Sequence, residues 1–426
     1  MTTRSLLRKG WCPGALRPME SGDGLLLRIR PRLGTLRVAA LSTIAKTAAS
    51  FGSGEIDLTN RGNLQLRGLT AASHPKALAA LGEAELVDAD AGAEAVRNII
   101  VDPLSGIDPA RTNIRLLAGQ LEDILVEDRT FWQLPGKFGF SFSGTAETRV
   151  GDRSTDIMVS VIAPDTFAVS LDGNGQLGAV LPPHRVVEAV MRLAAIFLEL
   201  RASDPAIGRM KDAVARSGSA MIYAAAGLES SMLPSRVEQD TNSLPPVGLS
   251  NHRGQIFAVG VGLPFGRIDA HQLEALHAVA SKTGIDAVRL SPQRVLVFPA
   301  DYASQADQIF AEAERQSLIM ASDDQRLFFD VCPGSPACAN ATTDTRRDAR
   351  NIADAIRGQS LLPSVHVSGC EKACARRGAA ALTLVARNGR YDVICNDGPA
   401  GPIAVAAVSP AEIDSAVARF IVEHAR

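Results

Sequence analysis

The chain has 426 residues and a formal net charge of −2, with 46% hydrophobic, 21% charged and 4% aromatic residues. This length allows two or three domains, each with its own core, and the composition is that of a globular protein. Because the chain is nearly neutral and poor in aromatic residues, we expect no nucleic-acid partner.

The N-terminal stretch MTTRSLLRKGWCPG carries positive charges but has no apolar core region, so we expect no secretory signal. The longest apolar run, from Val190 to Leu200, is interrupted by Arg192 and Glu199 and is too short to span a bilayer. We therefore expect a cytoplasmic protein with no membrane partner. Its cysteines would stay reduced and act as metal ligands or catalysts rather than form disulfides.

The chain repeats itself at an offset near 230 residues. Residues 25–68 and 255–300 share one order of predicted elements, which is a strand, a glycine turn, a helix, a glycine break and two strands. KFGFSFSG at 137–144 then matches PSVHVSG at 363–369. Two matches in the same order indicate an internal duplication.

This duplication predicts an α/β protein in which helices cover mixed sheets. We expect an N-terminal segment and first half-domain at 1–90, followed by a first repeat domain without paired cysteines at 91–232. A proline-rich linker at 233–250 would precede the second copy. The second half-domain would cover 251–318, and the repeat domain with the paired cysteines 319–426.

Four of the six cysteines form two pairs near the end of the sequence. Five residues separate Cys332 from Cys338, and three separate Cys370 from Cys374, while Cys12 and Cys395 stand alone. Each pair follows a predicted strand, and the neighbouring glycines allow the backbone to approach a metal centre. Structural zinc sites favour two to four residues between paired cysteines, so the first spacing fits zinc poorly. An iron–sulfur cluster is the preferred interpretation, and a non-catalytic zinc or cluster module is the alternative.

This cysteine pattern at the end of a duplicated α/β chain resembles the nitrite and sulfite reductase family. The resemblance implies ferredoxin-like half-domains and a [4Fe-4S] cluster beside sirohaem. LTNRGNLQLRG at 58–68 is similar to that family's strand with an arginine that contacts the macrocycle. VRNI at 96–99 and LPGKF at 134–138 resemble its anion-binding segments. The cluster ligands implied by the resemblance are Cys332, Cys338, Cys370 and Cys374.

The opening CPGALRPMESGDGLLLRIRP at 12–31 and the CPGSPAC form of the first cysteine pair resemble a narrower branch of this family. That branch is dioxygen-dependent and acts in aerobic cobalamin biosynthesis. The resemblance implies a mononuclear non-haem iron besides the cluster, and the tetrapyrrole precorrin-3A as substrate. It also implies hydroxylation of a meso carbon with lactone formation, with dioxygen and an unidentified electron donor as partners.

A sirohaem-dependent nitrite or sulfite reductase is the alternative function. The reductases carry two lysines, one residue apart, that help to bind and protonate a small oxyanion. The corresponding positions here are Lys137 and Gly139. The loss of one lysine argues against nitrite or sulfite as the substrate.

A flat tetrapyrrole with many carboxylates requires several fixed cations, preferably arginines. Strand alternation places Arg61 and Arg67 on one face of 58–68, and Arg28 and Arg30 on one face of the first strand. An ordinary solvated strand face is the competing interpretation. No 2-His-1-carboxylate spacing is visible for the non-haem iron, although His184, His252, Glu20 and Asp23 are available. The predicted substrate-binding residues are Arg30, Arg61, Arg97 and Lys137.

Overall fold

The computed structural model describes residues 12–145, 155–233, 245–358, 362, 364–376 and 378–424. In this part of the chain the strands form four sheets, two of them antiparallel and two mixed, with helices packed on them. The predicted α/β architecture is confirmed. None of the described helices combines the length and the apolar character that crossing a bilayer requires.

The first half-domain follows the alternation of apolar and polar residues in its sequence. Leu64 and Leu66 are buried while Gln65 between them is partly exposed. The first helix buries Leu41 and Ile44 at three-residue spacing and ends before Gly52. Its elements are β1 (Met19–Ser21), β2 (Gly24–Ile29), β3 (Thr35–Arg37), α1 (Val38–Phe51), β4 (Glu55–Leu58), β5 (Leu64–Leu69) and α2 (His74–Glu83).

The first repeat domain is a six-stranded mixed sheet covered by helices. Strands β6, β7 and β8 are parallel neighbours, and the remaining strands continue the sheet in antiparallel fashion. Its elements are α3 (Ala91–Val96), β6 (Ile99–Val101), α4 (Arg115–Glu127), β7 (Phe140–Ser143), β8 (Ile157–Ala163), β9 (Thr166–Leu171), β10 (Asn174–Leu181), α5 (Pro183–Ser203), α6 (Met210–Ser217), α7 (Ser219–Ala225) and β11 (Ser231–Met232).

The second half-domain repeats the first. The predicted linker at 233–250 lies largely outside the described residues, which omit 234–244. The half-domain comprises β12 (Gly248–His252), β13 (Gln255–Gly262), β14 (Arg267–Asp269), α8 (Ala270–Thr283), β15 (Ala287–Leu290), β16 (Val295–Pro299) and α9 (Ala303–Arg315).

The last domain repeats the mixed sheet, and it carries the paired cysteines. Strands β17, β18 and β19 are parallel neighbours, followed by two antiparallel strands. Cys332 comes directly after β17 and Gly369-Cys370 after β18, as predicted. The elements are β17 (Phe329–Val331), α10 (Thr345–Ala355), β18 (Val365–Ser368), β19 (Ala380–Arg387), β20 (Arg390–Asp397), β21 (Ile403–Val408) and α11 (Ile413–His424).

The two half-domains exchange a strand. Strand β14 of the second copy pairs with β4 of the first, and β3 of the first copy pairs with β15 of the second. The sheet orders are therefore β1-β2-β5-β4-β14 and β12-β13-β16-β15-β3, which are the same order in both copies. The residues before each exchanged strand also agree, because Leu33 and Phe265 both have positive φ (50° and 55°). The predicted duplication is confirmed.

One hydrophobic core joins the two half-domains. Helices α1 and α8 pack against each other, and Leu41, Ile44, Leu273 and Leu276 belong to a single buried cluster. Separate cores lie under the two mixed sheets. The paired half-domains therefore form one folded unit that supports both repeat domains.

Candidate functional site

The structure brings the four paired cysteines together at the ends of β17 and β18. Cys332 is buried, Cys338 and Cys370 are partly buried, and Cys374 is exposed. Although part of Cys374 is exposed, desolvation by the surrounding protein and the nearby Cys332, Cys370 and Cys338 raise the pKa of its thiol to about 11, against the opposite effect of Lys372. Cys370 has a raised pKa through burial and through Cys332 and Cys338. The raised pKa of Cys370 and of Cys374 shows that thiols of both pairs lie near one another, where a positively charged metal centre would stabilise their thiolates.

Backbone groups and a threonine hold the cysteine loops in place. The Gly369 N–H donates to Cys332 Sγ at 3.2 Å, and Thr345 Oγ1 donates to the Cys332 carbonyl at 2.8 Å. The Thr342 N–H donates to the Gly369 carbonyl at 2.8 Å, which joins the first loop to the second. An N–H aimed at sulfur stabilises a thiolate, so Cys332 is prepared to act as a ligand.

The cysteine loops do not form a ligand set for one metal ion. Among the described residues, no group of three or more His, Cys, Asp or Glu side chains could hold one metal ion. In a [4Fe-4S] cluster each thiolate binds a different iron, so the four thiols stand farther apart than the ligands of one zinc ion. The absence of a single-ion ligand set among the described residues is therefore consistent with an iron–sulfur cluster. The same finding leaves no ligand set for a mononuclear iron within the described residues.

The first half-domain braces the first cysteine loop, a contact that sequence reasoning missed. Arg67 is 1% exposed and donates to both carboxylate oxygens of Asp23 at 2.8 and 2.9 Å. The same guanidinium donates to the Ala337 carbonyl at 3.0 Å, beside Cys338. Ser21 Oγ and the Gly22 N–H donate to that same carbonyl, at 2.7 and 3.2 Å. The β1–β2 hairpin thus holds the loop that carries Cys332 and Cys338.

Arg61 lies in the turn before β5 rather than on the strand itself. Its guanidinium is half-buried and donates to the Lys137 carbonyl at 3.0 Å, so these two predicted residues are neighbours. Burial, the nearby Arg209 and, to a smaller extent, Arg30 lower the pKa of Arg61 to about 10, against the opposite effects of Cys12 and Asp156. Arg28 behaves in the same way, with a pKa of about 10 caused by burial and by Arg30. Several guanidinium groups thus lie close together, of which Arg30 and Arg209 have carboxylate partners.

Arg30 and Arg97 sit at one side of this cluster and have carboxylate partners. Arg97 donates to Asp88 at 2.5 Å and to Glu122 at 3.1 Å, and it also binds the Arg30 carbonyl at 2.9 Å. Arg30 donates to Asn98 Oδ1 at 2.7 Å and lies 3.9 Å from Glu94. Their charges are therefore shared with protein carboxylates, whereas the charge of Arg61 is opposed by neighbouring arginines.

Arg209 lies beside this cluster and is not among the predicted substrate-binding residues. Its Nε donates to the buried Asp156 at 2.8 Å, and Asp156 in turn accepts from the Gly139 N–H at 2.9 Å. A Cβ added at Gly139 would lie 3.1 Å from the Asn98 carbonyl and 3.6 Å from the Arg61 guanidinium. A side chain at this position would therefore crowd the Asn98 carbonyl, whereas it would be in ordinary contact with Arg61.

The two isolated cysteines occupy different surroundings. Cys12 lies beside the arginine cluster and interacts with Arg28. Cys395 lies on β20, opposite Leu382 of β19.

Comparison with known proteins agrees with this geometry. The model of the nitrite/sulfite reductase ferredoxin-like half domain matches residues 17–84 and 251–316. A precorrin-3B synthase from Sinorhizobium sp. is 31% identical over 98% of this chain and 89% of its own length. A ferredoxin–nitrite reductase from Synechococcus elongatus is 25% identical over 90% of this chain and 80% of its own. The Mycobacterium tuberculosis NirA structure superimposes with a TM-score of 0.75, at 19% identity, covering 94% of this chain and 81% of that one.

The matched segments coincide with the two half-domains that exchange strands, and the similarity continues through both repeat domains. The chain therefore belongs to the nitrite/sulfite reductase family of oxidoreductases, which includes precorrin-3B synthase.

Proposed function

We propose that this protein is a monooxygenase that converts precorrin-3A to precorrin-3B in aerobic cobalamin biosynthesis. The observation that carries the proposal is the similarity to a precorrin-3B synthase over 98% of the chain. The reaction would place one oxygen atom of dioxygen on a meso carbon of the substrate and close a lactone from an acetate side chain. The second oxygen atom would leave as water, formed with two electrons from a donor and two protons from solvent.

The four paired cysteines would hold a [4Fe-4S] cluster. When bound, such a cluster supplies single electrons at a potential set by its surroundings. Cys332 would be the most shielded ligand, because it is buried and accepts the Gly369 N–H. Cys374 would be the ligand nearest solvent. The relatives named as ferredoxin-dependent suggest a one-electron protein donor for this chain as well.

The arginine cluster would bind the substrate carboxylates. Arg61 and Lys137 are neighbours. The pKa of Arg61 is lowered by burial and then by Arg209, so a substrate carboxylate beside it would stabilise the charged guanidinium. Arg30 and Arg97 already share Glu94, Asp88 and Glu122, so their part would be to shape the edge of the site. The tetrapyrrole would then lie between the first repeat domain and the cysteine loops.

The mononuclear iron of this reading has no ligand set among the described residues, so we assign no step to it. A non-haem iron is implied by the family resemblance alone.

A sirohaem-dependent nitrite or sulfite reductase is the second candidate. The similarity to the Synechococcus elongatus nitrite reductase, at 25% identity over 90% of the chain, favours it. Gly139 beside Arg61 weighs against it, because a second lysine that could donate a proton to a small oxyanion is missing there.

Aerobic incubation with precorrin-3A, a reductant and ¹⁸O-labelled dioxygen tests the proposal. We expect a product that contains one labelled oxygen atom. The purified protein should show the broad visible absorption of an iron–sulfur cluster without the strong bands of sirohaem. Sirohaem bands together with nitrite or sulfite reduction, and no labelled product, would establish the second candidate instead. One zinc ion per chain with no sulfide would select the non-catalytic module.

A further inference from the structure

A second arginine-rich cavity lies away from the residues described above, at the junction of the second half-domain and the last domain. It has a volume of about 410 Å³, within the usual range for small-molecule sites. The cations in its wall are Arg267 of β14, Arg326, and Arg346 and Arg350 of α10. These residues belong to neither the cysteine pairs nor the Arg61 cluster.

The carboxylates in the same wall are already engaged. Glu55 forms an ion pair with Arg267, and Asp354 forms one with Arg357. Asp269 caps α8 by accepting from the Gln272 N–H at 2.8 Å. Two of the three acidic side chains of the cavity are therefore shared with Arg267 and Arg357, and the third, Asp269, lies at the N-terminus of α8.

The positive charges of two of the cavity's arginines, Arg350 and Arg346, are not fully balanced by carboxylates. Arg350 is exposed, and its guanidinium donates to the Arg346 carbonyl at 3.3 Å. No carboxylate among the described residues forms an ion pair with Arg350. Arg346 shares Asp57 with Arg267, and its Nε is buried without a hydrogen-bond partner in the described part of the chain. Burial lowers the pKa of Arg346 to about 10 despite Asp57. Burial also disfavours the charged form of Arg267, but the effect of Asp57 and Glu55 is larger, so the pKa of Arg267 is raised.

The spacing of the two arginines strengthens this point. Arg346 and Arg350 are four residues apart on α10, so they occupy one face of the helix. Like charges at this spacing destabilise a helix unless an anion lies between them. The chain therefore holds two neighbouring cations at a cavity, and nothing described in the protein compensates them fully.

The duplication provides an internal reference. The counterpart of α10 in the first copy is α4, and the buried positions of the two helices align Arg346 with Arg115 and Arg350 with Gly119. A cavity of about 390 Å³ lies at the corresponding place in the first copy. Its wall arginines Arg30, Arg32, Arg37 and Arg97 are each paired with a carboxylate. A partly buried arginine at the position of Arg346 is thus common to both copies, whereas Arg350 is an added cation of the cysteine-bearing copy.

We propose that this cavity binds a small polyanion, a metabolite with at least two phosphate or carboxylate groups, between Arg346 and Arg350. Arg326 lies in the same wall and forms an ion pair with Asp324. Guanidinium groups recognise both kinds of oxyanion through paired hydrogen bonds. A monovalent anion would satisfy only one of the two arginines.

Calorimetric titration of the purified holoprotein with pyrophosphate, citrate and chloride, at constant ionic strength, tests the site. We expect saturable binding of pyrophosphate or citrate and none of chloride. A preference for pyrophosphate or for citrate would identify the phosphate or the carboxylate class. Arg350→Gln should weaken binding about tenfold, which corresponds to the loss of one charge-assisted hydrogen bond. Arg350 is exposed, so this variant should fold normally.

Arg37→Gln is the matched control, because Arg37 lines the corresponding cavity of the first copy and is largely exposed. It should bind the polyanion like the unchanged protein. Equal affinity in Arg350→Gln, or the absence of saturable binding in the unchanged protein, would overturn the proposal. The outcome is independent of the reaction proposed above, since no turnover is measured.

Discussion

Replacing Arg67 by Met is expected to destabilise the protein and to loosen the cysteine loop. Arg67 is buried in the first half-domain, yet one of its hydrogen bonds reaches the Ala337 carbonyl beside Cys338. Met fills similar space but offers no donor, so Asp23 would lose both of its hydrogen bonds from the guanidinium.

The expected loss of unfolding free energy depends on which partners the two carboxylates near Arg67 keep. Asp57, 3.9 Å from Arg67, keeps Arg267 and Arg346, so its charge stays compensated. Asp23 is 19% exposed and keeps no ion pair among the described residues. Breaking a buried ion pair by removing one partner typically costs about 3–5 kcal/mol. Because water reaches part of Asp23, we expect about 3 kcal/mol of lost unfolding free energy.

Two further variants separate charge from geometry. Arg67→Lys keeps the charge but offers a single ammonium group in place of the guanidinium, which has several donors. Its unfolding free energy should therefore lie between those of Arg67→Met and the unchanged protein. Arg32→Met removes an arginine whose side chain is 60% exposed, and it should change stability by less than about 1 kcal/mol.

Chemical denaturation gives the stability, and iron and sulfide analysis gives the cluster content. We expect Arg67→Met to lose iron to a chelator faster than the unchanged protein, with Arg32→Met unaffected. If Arg67→Met holds its iron as firmly as the unchanged protein and unfolds at the same denaturant concentration, the half-domain does not brace the loop. The reasoning from the Arg67 contacts would then be wrong.

Three other predictions concern the site. Arg61→Ala should weaken tetrapyrrole binding by about tenfold to a hundredfold, as expected for one buried charge-assisted contact; equal affinities at matched cluster content would refute its role. Serine in place of any one paired cysteine should abolish normal cluster content, whereas Cys395→Ser should leave sulfide analysis unchanged; a cluster that survives the former would contradict the ligand assignment. Asp57 is buried, but Arg346 and Arg267 lower its pKa to about 2, so its stabilising contribution is present above pH ~4 and is lost as the pH falls toward 2. The stability difference between Asp57→Asn and the unchanged protein, measured by denaturation of the metal-free chains, should therefore narrow below pH ~4; a difference that stays constant down to pH 2 would show that the charge of Asp57 is not what matters.

Local patterns in the sequence were sufficient for the repeat and for the cysteine loops. Apolar spacing and glycine breaks depend on neighbouring residues, so both copies of the strand–helix–strand unit could be located before any contact was known. The same holds for Cys332 and Cys370, which follow strands whose ends are marked by proline and glycine. The family resemblance also rested on such short segments.

Long-range packing decided what the arginines do. Arg61 and Arg67 lie six residues apart and were expected on one face, yet Arg61 points toward Lys137 and Arg67 toward the cysteine loop. Arg97 meets Asp88 and Glu122, and Asp57 meets Arg267, which is 210 residues away. A charged side chain is neutralised by whichever opposite charge the fold brings to it, and that partner leaves no trace in local spacing. The sequence alone thus determined the repeat and the cysteine pairs, whereas the exchange of β14 between the copies decided that Arg267 meets Asp57 and Glu55.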